Sequence, residues 1–184
     1  MLNQTRLTIR PLERSDVPAM LEIIRDTRAE YGLATRVESL LEPADLALYD
    51  TYLKQRALYS VALLDDELVG GAGVAPLVGA DPLTCELQRM YLSRAARGLG
   101  IGSRLLTACL EAARRFWFVR CYAETIAEME SALAFYSSHG FVTLPAALGR
   151  TGHGHSDRWL LRELRVAPIS RGEYFRLGSS PVAS

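Results

Sequence analysis

The chain has 184 residues, of which 49% are hydrophobic and 23% charged, and its 21 basic side chains balance its 21 acidic ones. This length suits one domain with a sizeable core, and two independent catalytic domains would be cramped in it. The balanced charge gives no indication of binding to nucleic acid or to an anionic membrane surface.

The cysteines and the N-terminal segment predict the cellular compartment. Cys85, Cys109 and Cys121 are widely spaced and form no CxxC pair. This pattern predicts neither a disulfide framework nor a zinc site, and it is typical of small core residues in a reducing compartment. Residues 1–10 lack an apolar signal segment, and no stretch approaches the roughly 18 apolar residues of a membrane span. We therefore expect a cytoplasmic protein.

The N-terminal third begins with a strand and a helix. Apolar residues alternate over 7–12, which predicts the strand. Ser15-Asp16, followed by a proline in the first turn, is a typical helix start, and Gly32 can end that helix in a left-handed turn. A second helix is predicted over residues 44–53.

Two β-rich segments, 59–64 and 68–74, flank Asp65-Asp66-Glu67 and predict a hairpin. Glycines within the second strand indicate a bulge or a close backbone approach. These glycines are Gly70, Gly71 and Gly73.

The remaining segments continue the alternation of strands and helices. They are strand 84–92, helix 102–116, strand 119–125, helix 129–138, strand 141–144 and strand 159–164. Hairpins connect most strands and two helices cross over between strands, which predicts an α/β fold with a mixed sheet and helices on both faces. We expect the domain to cover residues 1–165 and a tail without periodicity to follow at 166–184.

A glycine-rich segment at residues 97–103, Arg-Gly-Leu-Gly-Ile-Gly-Ser, lies between a strand and the amphipathic helix. Glycines let consecutive backbone N–H groups face one point, and the helix start adds unsatisfied donors and the positive end of its dipole. The segment therefore predicts an anion site that suits a pyrophosphate.

Spacing separates the classes of site that use such a segment. Dinucleotide-binding proteins need GxGxxG close behind the strand, whereas Ser103 ends the run here and five residues separate Leu92 from Gly98. Glu124, at the end of the next strand, is nevertheless placed where a ribose-binding carboxylate would be expected. A Walker loop needs a lysine, which the segment lacks. A glycine-rich helix cap without a ligand is a further alternative.

The pattern R-x-x-G-x-G at residues 97–102 resembles the CoA-binding signature of the GCN5-related N-acetyltransferase (GNAT) superfamily. Residues 86–92 resemble the central strand of that family, and Ala-Leu-Ala-Phe-Tyr at 132–136 with Gly140-Phe141 resembles its downstream motif. The resemblance extends over residues 7–164 and is to a bacterial small-molecule or amino-acid-type subgroup.

The resemblance implies a GNAT fold, in which two central parallel strands splay apart, and acetyl-CoA as the cosubstrate without a metal. The strand end would bind the pantetheine arm and the glycine-rich segment the pyrophosphate. Met129 stands where many members carry asparagine, so a side-chain contact to the pantetheine is expected to be lost. The predicted cofactor-binding residues are Met90, Tyr91, Leu92, Arg97, Gly98, Leu99, Gly100, Ile101, Gly102 and Ser103.

Acetyl transfer to an ammonium requires a base for the nitrogen and an acid for the departing thiolate. Glu86 lies eleven residues before Arg97, a spacing similar to that of the catalytic glutamate in the family's histone acetyltransferases. It is our candidate base, and a water relay or a solvated residue paired with Arg89 are the alternatives. The downstream motif implies that Tyr136 is the general acid, and simple aromatic packing is its alternative.

Three residues are predicted to contact the acceptor: Tyr31, Arg89 and His153. Tyr31 and residues 45–52 fall where the family's first two helices form the acceptor wall, and Arg89 can pair with a carboxylate. The run His-Gly-His-Ser-Asp at 153–157 is similar to the start of a binuclear metal site, but His139 is the only other histidine in the chain, so no metal site is predicted.

Together these features predict an N-acetyltransferase that moves acetyl from acetyl-CoA to a primary amine of a small, amino-acid-like molecule by direct attack. The alternative is a non-catalytic module that senses acetyl-CoA or an amino acid. The presence of Met129 in place of asparagine is the feature that most favours this alternative. The expected partner is the small-molecule acceptor, without nucleic acid or membrane. Formation of a homodimer is left as an open alternative.

Overall fold

The computed structural model describes residues 5–32, 41, 43–151 and 156–164. These residues form one seven-stranded sheet, in the order β1-β2-β3-β4-β5-β7-β6, with helices packed on it. The strands are β1 (Leu7–Pro11), β2 (Leu58–Leu64), β3 (Glu67–Pro76), β4 (Thr84–Leu92), β5 (Arg120–Thr125), β6 (Val142–Leu144) and β7 (Arg158–Glu163). The helices are α1 (Val17–Glu30), α2 (Pro43–Leu46), α3 (Leu48–Thr51), α4 (Ile101–Arg115) and α5 (Glu130–Ser138).

The sheet is mixed, as the sequence predicts. Strands β4 and β5 pair in parallel, and every other pair in the described sheet is antiparallel. One buried cluster packs around α4, which is the crossover between the two parallel strands, and it contains all three cysteines. A second cluster joins α1, the α3 segment and β2 through Met20, Leu48 and Tyr59.

One local prediction about helices is wrong. The helix expected over 44–53 is broken at Ala47 into α2 and α3. Asp45, Leu48 and Tyr52 are all buried, so tertiary contacts override the local helix propensity. The predicted start of α1 is confirmed, since Asp16 is its N-cap and a proline lies in its first turn. The Asp16 carboxylate, however, bonds to Arg10 and to the Glu13 backbone N–H and not to the first turn of α1.

The predicted hairpin between β2 and β3 is confirmed. Its two turn residues, Asp65 and Asp66, have φ angles of 49° and 70°, as a tight two-residue hairpin requires. The prediction of a bulge at the β3 glycines is also confirmed, because the register against β4 shifts between Gly71 and Gly73. A Cβ atom on Gly73 would lie 2.5 Å from the ring of Tyr52, so only glycine admits that ring.

A β-bulge and an early end of pairing open the sheet between β4 and β5. Their parallel pairing stops at Leu87 and Ala123, although β4 continues to Leu92. On its other edge, β4 pairs with β3, and the register between these two strands shifts at Arg89. The φ angle of Arg89, 49°, identifies it as the extra residue of a bulge in β4. The Tyr59 hydroxyl donates to the Arg89 carbonyl oxygen at 2.8 Å and thereby holds the bulge. Beyond Leu87, the edge of β4 that faces β5 therefore pairs with no strand in the described part of the chain.

No helix in the described part of the chain is long and apolar enough to span a membrane.

Candidate active site

An apolar cavity of about 380 Å³ lies in the opening between β4 and α5. Its walls come from the end of β4, the glycine-rich segment, α5 and the end of α1. The predicted cofactor-binding residues on this wall are Met90, Tyr91, Leu92, Arg97, Gly98, Gly100, Gly102 and Ser103. The structure thus brings most of the predicted donor-binding residues to one cavity.

The glycine-rich segment takes the conformation that the pyrophosphate prediction needs. Gly98 and Gly100 have φ angles of 76° and 75°, in the left-handed region, and Gly100 is the N-cap of α4. A Cβ atom on either residue would meet no other described atom within 4 Å, so the space in front of the helix start is open. Leu99 is 60% exposed and Ile101 is 1% exposed within the core, and neither residue lines the apolar cavity.

The Arg97 side chain bonds to other residues of the protein. Its guanidinium forms an ion pair of 2.9 Å with Glu30 at the end of α1, and its Nε donates to the Leu92 carbonyl oxygen at 3.2 Å. Arg97 therefore ties α1 to the end of β4 and shapes the cavity, in addition to lining it.

A second, polar cavity of about 110 Å³ adjoins the first one. Glu86 lines it and is only 3% exposed, so the interpretation of Glu86 as a solvated residue does not apply. Burial raises the pKa of Glu86 to about 7, and the charge of Glu124 raises it as well, while a hydrogen bond from Gln88 lowers it. Near neutral pH the carboxyl group is therefore divided between its two protonation states, which suits a general base.

Arg89 also lines the polar cavity, and an internal carboxylate already holds its Nε. Asp45 Oδ1 accepts this hydrogen bond at 2.7 Å, and Asp45 Oδ2 accepts another from Arg28. The side chains of Arg28, Asp45 and Arg89 are at most 7% exposed. The alternative in which Arg89 forms an ion pair with Glu86 is not found among the described residues, where Asp45 is the ion-pair partner of Arg89.

Tyr136 stands where the two cavities meet. The residues that line both cavities are Met90, Tyr91, Met129, Ala132 and Tyr136. Burial raises the pKa of Tyr136, so its hydroxyl is protonated at neutral pH, and it makes no hydrogen bond to the described residues. This hydroxyl is available as a proton donor.

The other predicted site residues have different positions. The Tyr31 hydroxyl lies 3.3 Å from Ser131 Oγ at the apolar cavity, so Tyr31 lines the apolar cavity and not the polar one, and it links α1 to α5. Met129, which stands where many family members carry asparagine, contacts the Thr125 hydroxyl through its Sδ at 3.6 Å. His153 lies outside the described residues. No group of residues in the described chain has the arrangement of a metal site.

The sequence interpretation missed Gln88, which lines the polar cavity. A signal existed for it: Glu86 and Gln88 alternate on a strand that is otherwise largely apolar, which places two polar side chains on one face. Asp45 and Tyr52 belong to the predicted acceptor wall at 45–52, but nothing local in the sequence indicates their bonds to Arg89 and Gln88, because these bonds join distant segments.

Comparisons with known proteins agree with this geometry. The family model described as Acetyltransferase (GNAT) family matches residues 19–141. The chain is 41% identical over 157 residues to YjgM of Escherichia coli (strain K12), described as an uncharacterized N-acetyltransferase, and the match covers 85% of this chain and 94% of that one.

Solved structures extend the likeness to the fold. A GNAT phosphinothricin acetyltransferase from Sinorhizobium meliloti, in complex with acetyl-CoA, is 25% identical with a TM-score of 0.70, covering 86% of this chain and 88% of that one. The yncA protein of Salmonella typhimurium, solved with its cofactor acetyl-CoA, is 21% identical with a TM-score of 0.69, covering 90% of this chain and 99% of that one. Both the family match and the fold therefore lead to one conclusion: the chain belongs to the GNAT family and is an acetyltransferase.

Proposed function

We propose that the protein transfers acetyl from acetyl-CoA to the primary amine of a small molecule that also carries a carboxylate, as an amino acid does. The observation that carries the proposal is the junction of the two cavities at Tyr136. One cavity ends at a glycine-rich helix start that suits a pyrophosphate, and the other contains a buried carboxyl group with a pKa of about 7.

The donor would enter through the apolar cavity. The unpaired edge of β4 beyond Leu87 offers backbone groups to the amide-bearing pantetheine arm, as a sheet edge does to an added strand. The left-handed Gly98 and Gly100 leave open space before the first turn of α4, where unsatisfied N–H donors and the helix dipole favour a pyrophosphate. The thioester end would then lie near Tyr136 and Met129.

The proton transfers follow from the positions of Glu86 and Tyr136. Glu86 takes a proton from the acceptor ammonium, directly or through water, because its pKa lies near the working pH. The neutral amine attacks the thioester carbonyl carbon, a C–N bond forms, and the C–S bond then breaks. Tyr136 gives its proton to the leaving thiolate. No covalent enzyme intermediate is needed.

The acceptor class rests on Arg89. Asp45 engages the Nε of Arg89, and the guanidinium lines the polar cavity that contains Glu86. A guanidinium at low exposure favours a bidentate carboxylate partner. An acceptor with an ammonium at Glu86 and a carboxylate at Arg89 would place both groups of an amino acid in one cavity.

The test is a screen for CoA-thiol release with amino acids, each paired with its decarboxylated amine. We expect amino acids to be the better acceptors, and Arg89→Met to remove that preference. If amines without a carboxylate react equally well, the amino-acid-like acceptor is wrong but transfer to an amine stands. If no amine in either set reacts although acetyl-CoA binds, the proposal fails as a whole.

A further inference from the structure

Two consecutive hydrogen bonds connect a tyrosine to the candidate base. The Tyr52 hydroxyl donates to Gln88 Oε1 at 2.8 Å, and Gln88 Nε2 donates to Glu86 Oε2 at 2.6 Å. We propose that Gln88, oriented by Tyr52, is a positioning residue that fixes the carboxylate of Glu86 for proton removal from the acceptor. The proposal rests on the function proposed above, in which Glu86 is the base.

The two hydrogen bonds from Tyr52 through Gln88 to Glu86 form a relay. The chemistry of the three groups determines which group donates in each bond. An ionised carboxylate only accepts hydrogen bonds, so the NH₂ end of the Gln88 amide must face Glu86. The carbonyl end then faces Tyr52, which has to donate. Burial raises the pKa of Tyr52, so its hydroxyl stays protonated at any working pH. The orientation of the Gln88 amide is therefore determined by its two partners.

The sheet holds Tyr52 in place. Its ring packs against Tyr59 with the ring centroids 5.0 Å apart, and Tyr52 is 8% exposed. The ring also lies over Gly73, where a side chain would approach it to 2.5 Å. The glycine in β3 thus creates the space from which the Tyr52 hydroxyl reaches Gln88.

The relay acts on Glu86 in two ways. The hydrogen bond from Gln88 restricts rotation of the carboxylate and so sets the position of both oxygens. It also stabilises the charged form and lowers the pKa of Glu86, against the effect of burial. An amide performs both tasks without adding a charge to a cavity that must admit an ammonium.

The first experiment titrates Glu86 and needs no acceptor. In protein labelled with ¹³C at glutamate carboxyl carbons, Glu86→Gln identifies the Glu86 signal by its loss. We expect Gln88→Leu to move the titration midpoint of Glu86 to higher pH, and Tyr52→Phe to move it less in the same direction. Tyr49→Phe is the matched control, because it removes a hydroxyl from the same segment without touching the relay, and its midpoint should equal that of the wild type.

An unchanged midpoint in a folded Gln88→Leu variant would overturn the proposal. If Gln88→Leu does not fold, Tyr52→Phe decides by the same criterion, since it removes one oxygen atom and keeps the ring. Because the titration uses no acetyl-CoA and no acceptor, its outcome is independent of whether the proposed function is right.

The second experiment measures kcat/KM against pH with an acceptor from the screen. We expect Gln88→Leu to lower kcat/KM by roughly 10-fold to 100-fold at neutral pH and to regain part of it at higher pH, with the KM for acetyl-CoA unchanged. A loss that is equal at every pH would assign Gln88 a structural role and overturn positioning. Full activity of Glu86→Gln would instead refute Glu86 as the base.

Discussion

Arg89 and Asp45 form a buried ion pair of 2.7 Å that joins the bulge of β4 to α2, although 44 positions separate them in the chain. Asp45 is fully buried and also accepts a hydrogen bond from Arg28 on α1. One carboxylate therefore links three elements around the polar cavity, and the geometry of the proposed acceptor site depends on it.

Replacing Asp45 with alanine should destabilise the protein strongly. The change leaves two buried guanidinium groups without this partner, and breaking a buried pair in this way costs about 3–5 kcal/mol of the free energy of unfolding. Urea denaturation measures the loss. Asp50→Ala is the matched control, because Asp50 pairs with Arg14 at the surface with 67% of its side chain exposed, and it should leave the urea midpoint unchanged. Equal midpoints for both variants would contradict the account of Asp45.

Local patterns allowed much of the fold and most of the residues that line the apolar cavity to be predicted from the sequence. The alternation in β1, the acidic hairpin turn and the glycine-rich segment before α4 each depend on neighbouring residues, and the structure contains them. The split of the predicted helix 44–53 and the partner of Arg89 were not predictable in this way, because they arise from contacts between segments that are far apart in the sequence. The burial of Glu86 likewise follows from strands on both sides of β4, which no single segment encodes.

Replacing Gly100 with valine should abolish the stabilisation of the protein by acetyl-CoA. The site has φ of 75° and open space where a Cβ would point, so valine both strains the backbone and fills the proposed pyrophosphate position. Gly140→Val is the control, because Gly140 has a similar φ of 78° beyond the end of α5. Both variants should lower the melting temperature without ligand, but only Gly140→Val should retain its rise with acetyl-CoA. A normal rise in Gly100→Val would exclude this pyrophosphate site.

The titration of Glu86 should make stability fall as the pH rises. Its pKa in the folded state is about 7, above the ordinary value of 4.5, so between these values the folded state binds more protons than the unfolded state. The free energy of unfolding therefore decreases through this window, by on the order of 3 kcal/mol in total.

Glu86→Gln should lack this decrease. Urea denaturation at pH 5 and pH 8 for both proteins isolates the contribution of Glu86, because the other titrating groups contribute equally to both. We expect the variant to gain stability relative to the wild type as the pH increases. Parallel pH dependences would show that the pKa of Glu86 is not raised in the folded protein.

Removing the Tyr136 hydroxyl should slow turnover and spare donor binding. The hydroxyl lies where the two cavities meet and is bonded to none of the described residues, so Tyr136→Phe removes a proton donor and keeps the buried ring. Free thiols have a pKa of about 8.5, so the thiolate leaves more readily than an alkoxide would, and the expected loss in kcat is ~10–10³-fold. The Kd for acetyl-CoA, measured by calorimetry, should stay within about twofold of the wild type. Tyr49→Phe, which changes a residue that lines neither cavity, should retain full turnover. If Tyr136→Phe also retains full turnover while Tyr136→Ala loses acetyl-CoA binding, the residue contributes packing alone and the proton for the thiolate comes from elsewhere.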